Sequence, residues 1–114
     1  MLDAAVLNQL VAETGKESAP MLLEVFVEDC RSRLGRILSA AGAADAQTLQ
    51  QEAHALVSSA ATFGAMAMSD RARAIEQAIR EQRTPDAIML AEGMRDLADA
   101  TFAALDAAKV QLAA

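Results

Sequence analysis

Residues 45–64 read DAQTLQQEAHALVSSAATFG. Within them Leu49, Ala53, Leu56, Ala60 and Phe63 recur at intervals of four, three, four and three, the spacing that lines side chains along one stripe of an α-helix. Asp45 is a good N-cap before that stripe and Gly64 a good stop after it. The stretch therefore predicts a helix over 45–63 with a short reversal behind it.

The same period continues in both directions. Asp3 and Gly15 bracket a short helix over 3–14, with Leu2, Val6, Leu10 and Val11 on its inner side. A second helix, over 19–41, opens near Ser18 with Pro20 in its first turn. It carries Leu23, Phe26, Cys30, Leu34, Ile37, Leu38 and Ala41 inward and is expected to end at Gly42. Beyond Gly64, the residues Met68, Ala72, Ile75 and Ile79 mark a helix over 66–83, interrupted at Arg83-Thr84-Pro85 because proline pushes its predecessor out of the helical region. Pro85 opens a last helix over 85–112, its stripe formed by Leu90, Met94, Leu97, Thr101, Leu105, Ala108 and Leu112, fading into Ala113-Ala114. Short connections between long helices force antiparallel neighbours. The expected fold is all-α, an antiparallel up-down four-helix bundle with an additional short N-terminal helix packed as a lid, in a single domain over 1–114.

Composition agrees with helices and narrows the function. The chain is 54% apolar but only 3% aromatic, without Trp or Tyr, so its bulk comes from helix formers. Ten basic against 16 acidic residues give a formal charge of −6, which repels nucleic acid and anionic membrane surfaces alike. No long uncharged apolar run is present, and Met1-Leu2-Asp3 lacks a basic signal region, so a cytoplasmic protein is expected. The start at Met1 and the capped first helix suggest a free-standing protein, with a fragment of a larger kinase as the alternative. Cys30 stands between Phe26 and Leu34 on the inner stripe and reads as a buried reduced thiol. One His and one Cys on different helices make no zinc site, and Ser58-Ser59 in mid-helix make no hydrolase triad.

His54 is the only histidine. At 100° per residue it falls roughly 140° from the centre of the apolar stripe, on the solvent side. Ala55, Ser58, Ser59, Ala61 and Thr62 give it low walls, as a nucleophile reached by another folded protein needs. A solvent-exposed histidine with no role fits the same geometry. The turn that follows adds a constraint. With the reversal near residue 65, His54 and Glu76 lie equally far from it, about 16 Å down their own helices. A carboxylate at that height can accept a hydrogen bond from Nδ1–H, fix the tautomer and leave Nε2 as the nucleophile. Glu76 can equally pair with Arg80 at i+4.

The run His54-Ala55-Leu56-Val57-Ser58-Ser59-Ala60-Ala61-Thr62-Phe63-Gly64-Ala65, followed by Arg71-Ala72-Arg73-Ala74-Ile75-Glu76, resembles histidine-containing phosphotransfer (HPt) domains. Their pattern is approximately H-x-L-K-G-S-A-x-x-F/L-G-A with a glutamate or glutamine on the next helix. The resemblance covers nearly the whole chain and implies a phosphorelay carrier with His54 phosphorylated on Nε2 and Glu76 bonded to the imidazole. It implies response-regulator receiver domains and a hybrid or sensor histidine kinase as partners. It also implies no cofactor on this chain, with Mg²⁺ on the receiver, and no kinase activity of its own. Two positions depart from the pattern: Val57 replaces the usual Lys, and Ser58 the usual Gly. Arg73 and Arg80 flank Glu76 and are candidates for the missing charge. Gln50, Val57, Ser58, Ala61, Met66, Arg73 and Arg80 are the expected docking residues, and Met68 is a weaker one because it lies on the inner stripe. Arg31, Arg33, Arg36, Arg71, Arg73, Arg80 and Arg83 hold most of the positive charge and form either a basic docking face or a solvated surface. A monomer is expected. The alternatives are an HPt-like bundle that binds a receiver or kinase without accepting phosphate, and a dimerising bundle.

Overall fold

The computed structural model describes residues 2–113, without the side chains of 112 and 113. Met1, the Leu112 side chain and Ala114, which entered the sequence reading, lie outside the described residues. Among the described residues six helices follow in order: α1 Ala4–Thr14, α2 Ala19–Gly42, α3 Ala46–Thr62, α4 Met66–Arg80, α5 Thr84–Glu92 and α6 Met94–Ala113. Among the described residues the one β contact is an isolated bridge between Leu2 and Ala65.

The helix starts follow local chemistry. The Asp3 carboxylate accepts from the Ala5 amide at 3.0 Å, and Asp45 accepts from both the amide and the hydroxyl of Thr48, at 3.2 and 2.7 Å. Each satisfies donors that a helix N-terminus leaves unpaired. Three helix ends share another device, in which a left-handed residue folds the chain back so that two amides reach carbonyls of the last turn. At the end of α3 this residue is Gly64, with φ +78, and the Ala65 amide reaches Ala60 O at 2.8 Å.

Three expected boundaries are corrected. Gly42 does not end the second helix: it is still helical, and the left-handed residue is Ala44, with φ 53, from which Asp45 reaches back to Ala40 O at 2.9 Å. The fourth helix stops at Arg80 instead of 83, because Gln82 turns left-handed at φ 61 and Arg83 N closes onto Ala78 O at 2.8 Å. The helix expected over 85–112 is two helices, with Gly93 as the C-cap of α5 at φ −75 and ψ −9. The apolar stripe continues across that break, since Ala91, Met94 and Ala98 are all fully buried.

The core runs the length of a rod of 45 × 19 × 18 Å. Leu23, Ile37, Leu49, Leu56, Ile75 and Leu105 are almost wholly removed from water, each contributing roughly 1.5–3 kcal/mol. Between them sit fully buried alanines such as Ala53, Ala60, Ala72 and Ala78, which let neighbouring helices approach closely. α2 packs on α3 and α6, α3 on α4, and α4 on α5. Phe26 of α2 stacks on Phe63 at the end of α3, ring centres 4.6 Å apart. Cys30 is buried and free. α1 buries no residue fully; Leu2, Leu7 and Leu10 lean on the core, and Asp3 N donates to Gly64 O at 2.8 Å, fixing the helix onto the α3–α4 turn. No described helix is long and apolar enough to cross a membrane.

Candidate functional site

α3 and α4 run against one another, so residue numbers fall on one side of their seam as they rise on the other. Val57 meets Ser69 and, one turn on, His54 meets Glu76. Nδ1 of His54 lies 2.6 Å from Oε2 of Glu76. A carboxylate accepts, so the shared proton is Nδ1–H, and in the neutral imidazole Nε2 then keeps its lone pair. The His54 side chain is 73% exposed and that of Glu76 only 9%. A buried anion thus orients an open imidazole. Nη2 of Arg80 lies 3.4 Å from the same Oε2, so both neighbours considered for Glu76 are present together.

Around the imidazole the walls are low. Ser58 is exposed, Gln50 and Ala61 are half-buried, and Met66 is 37% exposed. Thr62 turns its hydroxyl back to Ser58 O at 2.8 Å and Ser59 does so to Ala55 O at 3.1 Å, which keeps both against their own helix. Val57 is half-buried against the core, so its side chain is only partly available to a partner. Arg73 is open and loosely paired with Asp70 at 3.5 Å, and Met68 is wholly buried.

Two features escape sequence reasoning. Ser69, with no exposed surface, donates to Val57 O at 2.8 Å and ties the helices together one turn from His54. Glu52, two residues before the histidine, accepts from Arg33 at 3.1 Å and from Arg36 at 2.8 Å, locking α2 to α3. The arginines therefore form no single basic face: Arg33 and Arg36 are held by Glu52, Arg31 lies over the Phe102 ring at 4.6 Å, and Arg83 is held by Glu81 and Asp86. Among the described residues no group of three or more His, Cys, Asp or Glu side chains stands ready to hold a metal ion.

Comparison with known proteins adds a family to this all-helical rod. The family model of the Hpt domain matches residues 21–108. The chain belongs to the Hpt domain family. This Hpt domain is 35% identical over 77 residues to the phosphorelay protein LuxU of Vibrio harveyi, covering 68% of each chain. It is 33% identical over 81 residues to the LuxU of Vibrio vulnificus strain YJ016, covering 71% of this chain and 70% of that one. Among solved structures, histidine-containing phosphotransfer protein B of Pseudomonas aeruginosa PAO1 superposes with a TM-score of 0.89 at 26% identity, over 96% of this chain and 95% of that one.

Proposed function

We propose that this Hpt domain is a phosphorelay carrier that accepts a phosphoryl group from a receiver-domain aspartate onto Nε2 of His54 and passes it to another receiver. The lone pair of Nε2 attacks phosphorus, the N–P bond forms, the acyl-phosphate P–O bond breaks and the aspartate leaves as carboxylate. The ring gains positive charge while Nδ1 keeps its proton and donates it to Glu76, whose carboxylate offsets that charge. In-line phosphoryl transfer is mainly positioning plus charge stabilisation, so the receiver with its Mg²⁺ supplies the electrophilic half and this chain supplies the aimed nucleophile. The contact that carries the reading is the 2.6 Å bond from Nδ1 to Glu76 beneath an imidazole that remains 73% exposed.

On this reading Gln50, Val57, Ser58, Ala61, Met66, Arg73 and Arg80 border the surface on which a receiver docks, and a hybrid or sensor kinase stands upstream. The chain acts as a cytoplasmic monomer without kinase activity or a cofactor of its own. Its fold is read as an antiparallel up-down bundle of α2, α3, α4 and the α5–α6 pair, with α1 as the added short helix. The test is transfer of label from a panel of phosphorylated receivers to the wild type and to His54→Ala. Acid-labile, alkali-stable label that requires His54 supports the carrier. Binding without label from any receiver overturns it in favour of a non-phosphorylated binding module.

A further inference from the structure

We propose that the groove between α2 and α6 is a docking site for an acidic amphipathic helix of a partner protein, gripped by Arg31 and Arg95 above an apolar floor. No residue of α3 or α4, whose seam carries His54, lines this groove. A partner seated there leaves the imidazole open, and the proposal does not depend on the carrier reading.

The charges come first. Arg33, Arg36, Arg73, Arg80 and Arg83 each face a carboxylate, whereas Arg31 and Arg95 make neither an ion pair nor a side-chain hydrogen bond among the described residues. With 16 acidic residues against ten basic, a carboxylate is the easier partner to find, yet these two cations share one groove without one. Arg31 is nevertheless positioned, its guanidinium carbon 4.6 Å from the centre of the Phe102 ring. A guanidinium over a ring face still has its N–H donors to give.

The shape agrees. Lining positions 31, 34, 35 and 38 on α2 and 95, 99 and 102 on α6 recur at threes and fours, so the trough follows two turns of each helix, about 10 Å. Leu34 and Phe102 form its floor and Leu38 is half-buried beside them. Gly35 is exposed in the middle of the trough and well inside α2. Glycine disfavours a helix interior relative to alanine, and nothing in the fold requires it here: a Cβ would meet no atom within 4 Å. Its bare backbone instead lets another helix come close. An open trough, apolar below and cationic at its walls, suits helix-in-groove recognition, with an apolar stripe on the floor and carboxylates toward Arg31 and Arg95. Asp99 is the one acid among the lining residues, and it opposes such a helix.

The probe is a helical host peptide with leucines at i, i+4 and i+7 flanked by glutamates, set against the same peptide with lysines. Each is titrated into the full chain labelled with ¹⁵N, and amide shifts are followed. On a chain of charge −6, unspecific attraction favours the lysine peptide, so preference for the glutamate peptide is diagnostic. The expected result is saturable shifts over 31–38 and 95–102 with the glutamate peptide and weaker binding of the lysine peptide. Arg31→Ala and Arg95→Ala should each weaken binding by about two- to fivefold, and Asp99→Asn should tighten it by about twofold. Gly35→Gln should melt above the wild type, since glutamine is the better helix former, while binding about tenfold more weakly because its side chain fills the trough. Equal or tighter binding of the lysine peptide, no saturable shift in the groove, or binding indifferent to Gly35→Gln and both arginine changes overturns the proposal. Groove shifts that grow with protein concentration alone and vanish in Arg31→Ala overturn it in favour of a second copy of this chain.

Discussion

The hydroxyl of Ser69 crosses the seam between α3 and α4 to donate to the carbonyl of Val57 at 2.8 Å, and Ser69 has no exposed surface. It is a bond between the two helices that belongs to neither helix's own ladder. Replacing it with alanine removes the donor while the Val57 carbonyl keeps its helical partner at i+4. Ser69→Ala should therefore cost about 1 kcal/mol in urea denaturation. Because the bond sits one turn from His54, His54 ring resonances should shift in the same variant.

Glu76 fixes a tautomer, which nitrogen NMR of the ring reads directly. In the wild type Nδ1 should carry the proton and Nε2 should not. Glu76→Gln keeps a carbonyl acceptor but loses the charge, and Glu76→Ala loses both. Phosphoryl uptake by His54 should fall in the order wild type, Gln, Ala. The full loss should be about tenfold to a hundredfold, corresponding to one charge-assisted hydrogen bond.

Left-handed positions make opposite demands at the two ends of α3. Gly64, at φ +78, has no room for a side chain: a Cβ there would meet the Asp3 carbonyl at 3.0 Å. Gly64→Ala should destabilise by about 1–2 kcal/mol and loosen α1. Ala44, at φ 53, is exposed and already carries a Cβ in that region. Ala44→Gly should stabilise by about 0.5–1 kcal/mol, the relief of strain less the added freedom of the unfolded chain. Gly93 is a third case, because its φ is ordinary and the nearest atom to a built Cβ is the mobile end of Arg71 at 2.9 Å. Gly93→Ala should be close to neutral. Thermal melts of the three variants check the signs.

Burial pushes the Cys30 thiol from its ordinary 9.0 up to about 12, with Asp29 adding to the rise and Arg33 and Arg31 opposing it. The folded state thus favours the protonated thiol. Its contribution is complete below pH 9 and is lost as pH rises from there towards 12. The stability difference between the wild type and Cys30→Ala should shrink between pH 8 and pH 11. Native protein at pH 8 should react with a thiol reagent only at the rate of opening.

Helices whose starts depend on one side chain were legible in the sequence. Asp3 and Asp45 are caps by chemistry alone, and both bond as caps. The meeting of His54 and Glu76 followed from equal distances to a single turn. The break at Gly93 was not legible, because Leu90, Met94 and Leu97 keep helical phase across it and the glycine takes an ordinary helical φ. Gly42 misled for the opposite reason. A glycine near a helix end is a permissive residue, and the chain turned two residues later, where Asp45 could cap the next helix. Ser69 was hidden because a serine on an inner stripe looks like a small core residue until the facing carbonyl is known. Glu52 was hidden because its arginines come from a different helix, 16 and 19 positions away.

Glu76 is buried, and among the described residues its hydrogen-bond donor is His54, with only the longer contact to Arg80 besides. The residue proposed to carry the phosphoryl group is consequently also a prop for the fold. A variant silenced by His54→Ala strands a carboxylate at the helix seam, so a signalling defect in cells would mix lost chemistry with lowered abundance. His54→Gln retains an amide donor and cannot form phosphohistidine, which makes it the cleaner silent allele. A comparison of the two alleles at equal protein level separates what the phosphoryl group does from what the imidazole merely holds in place.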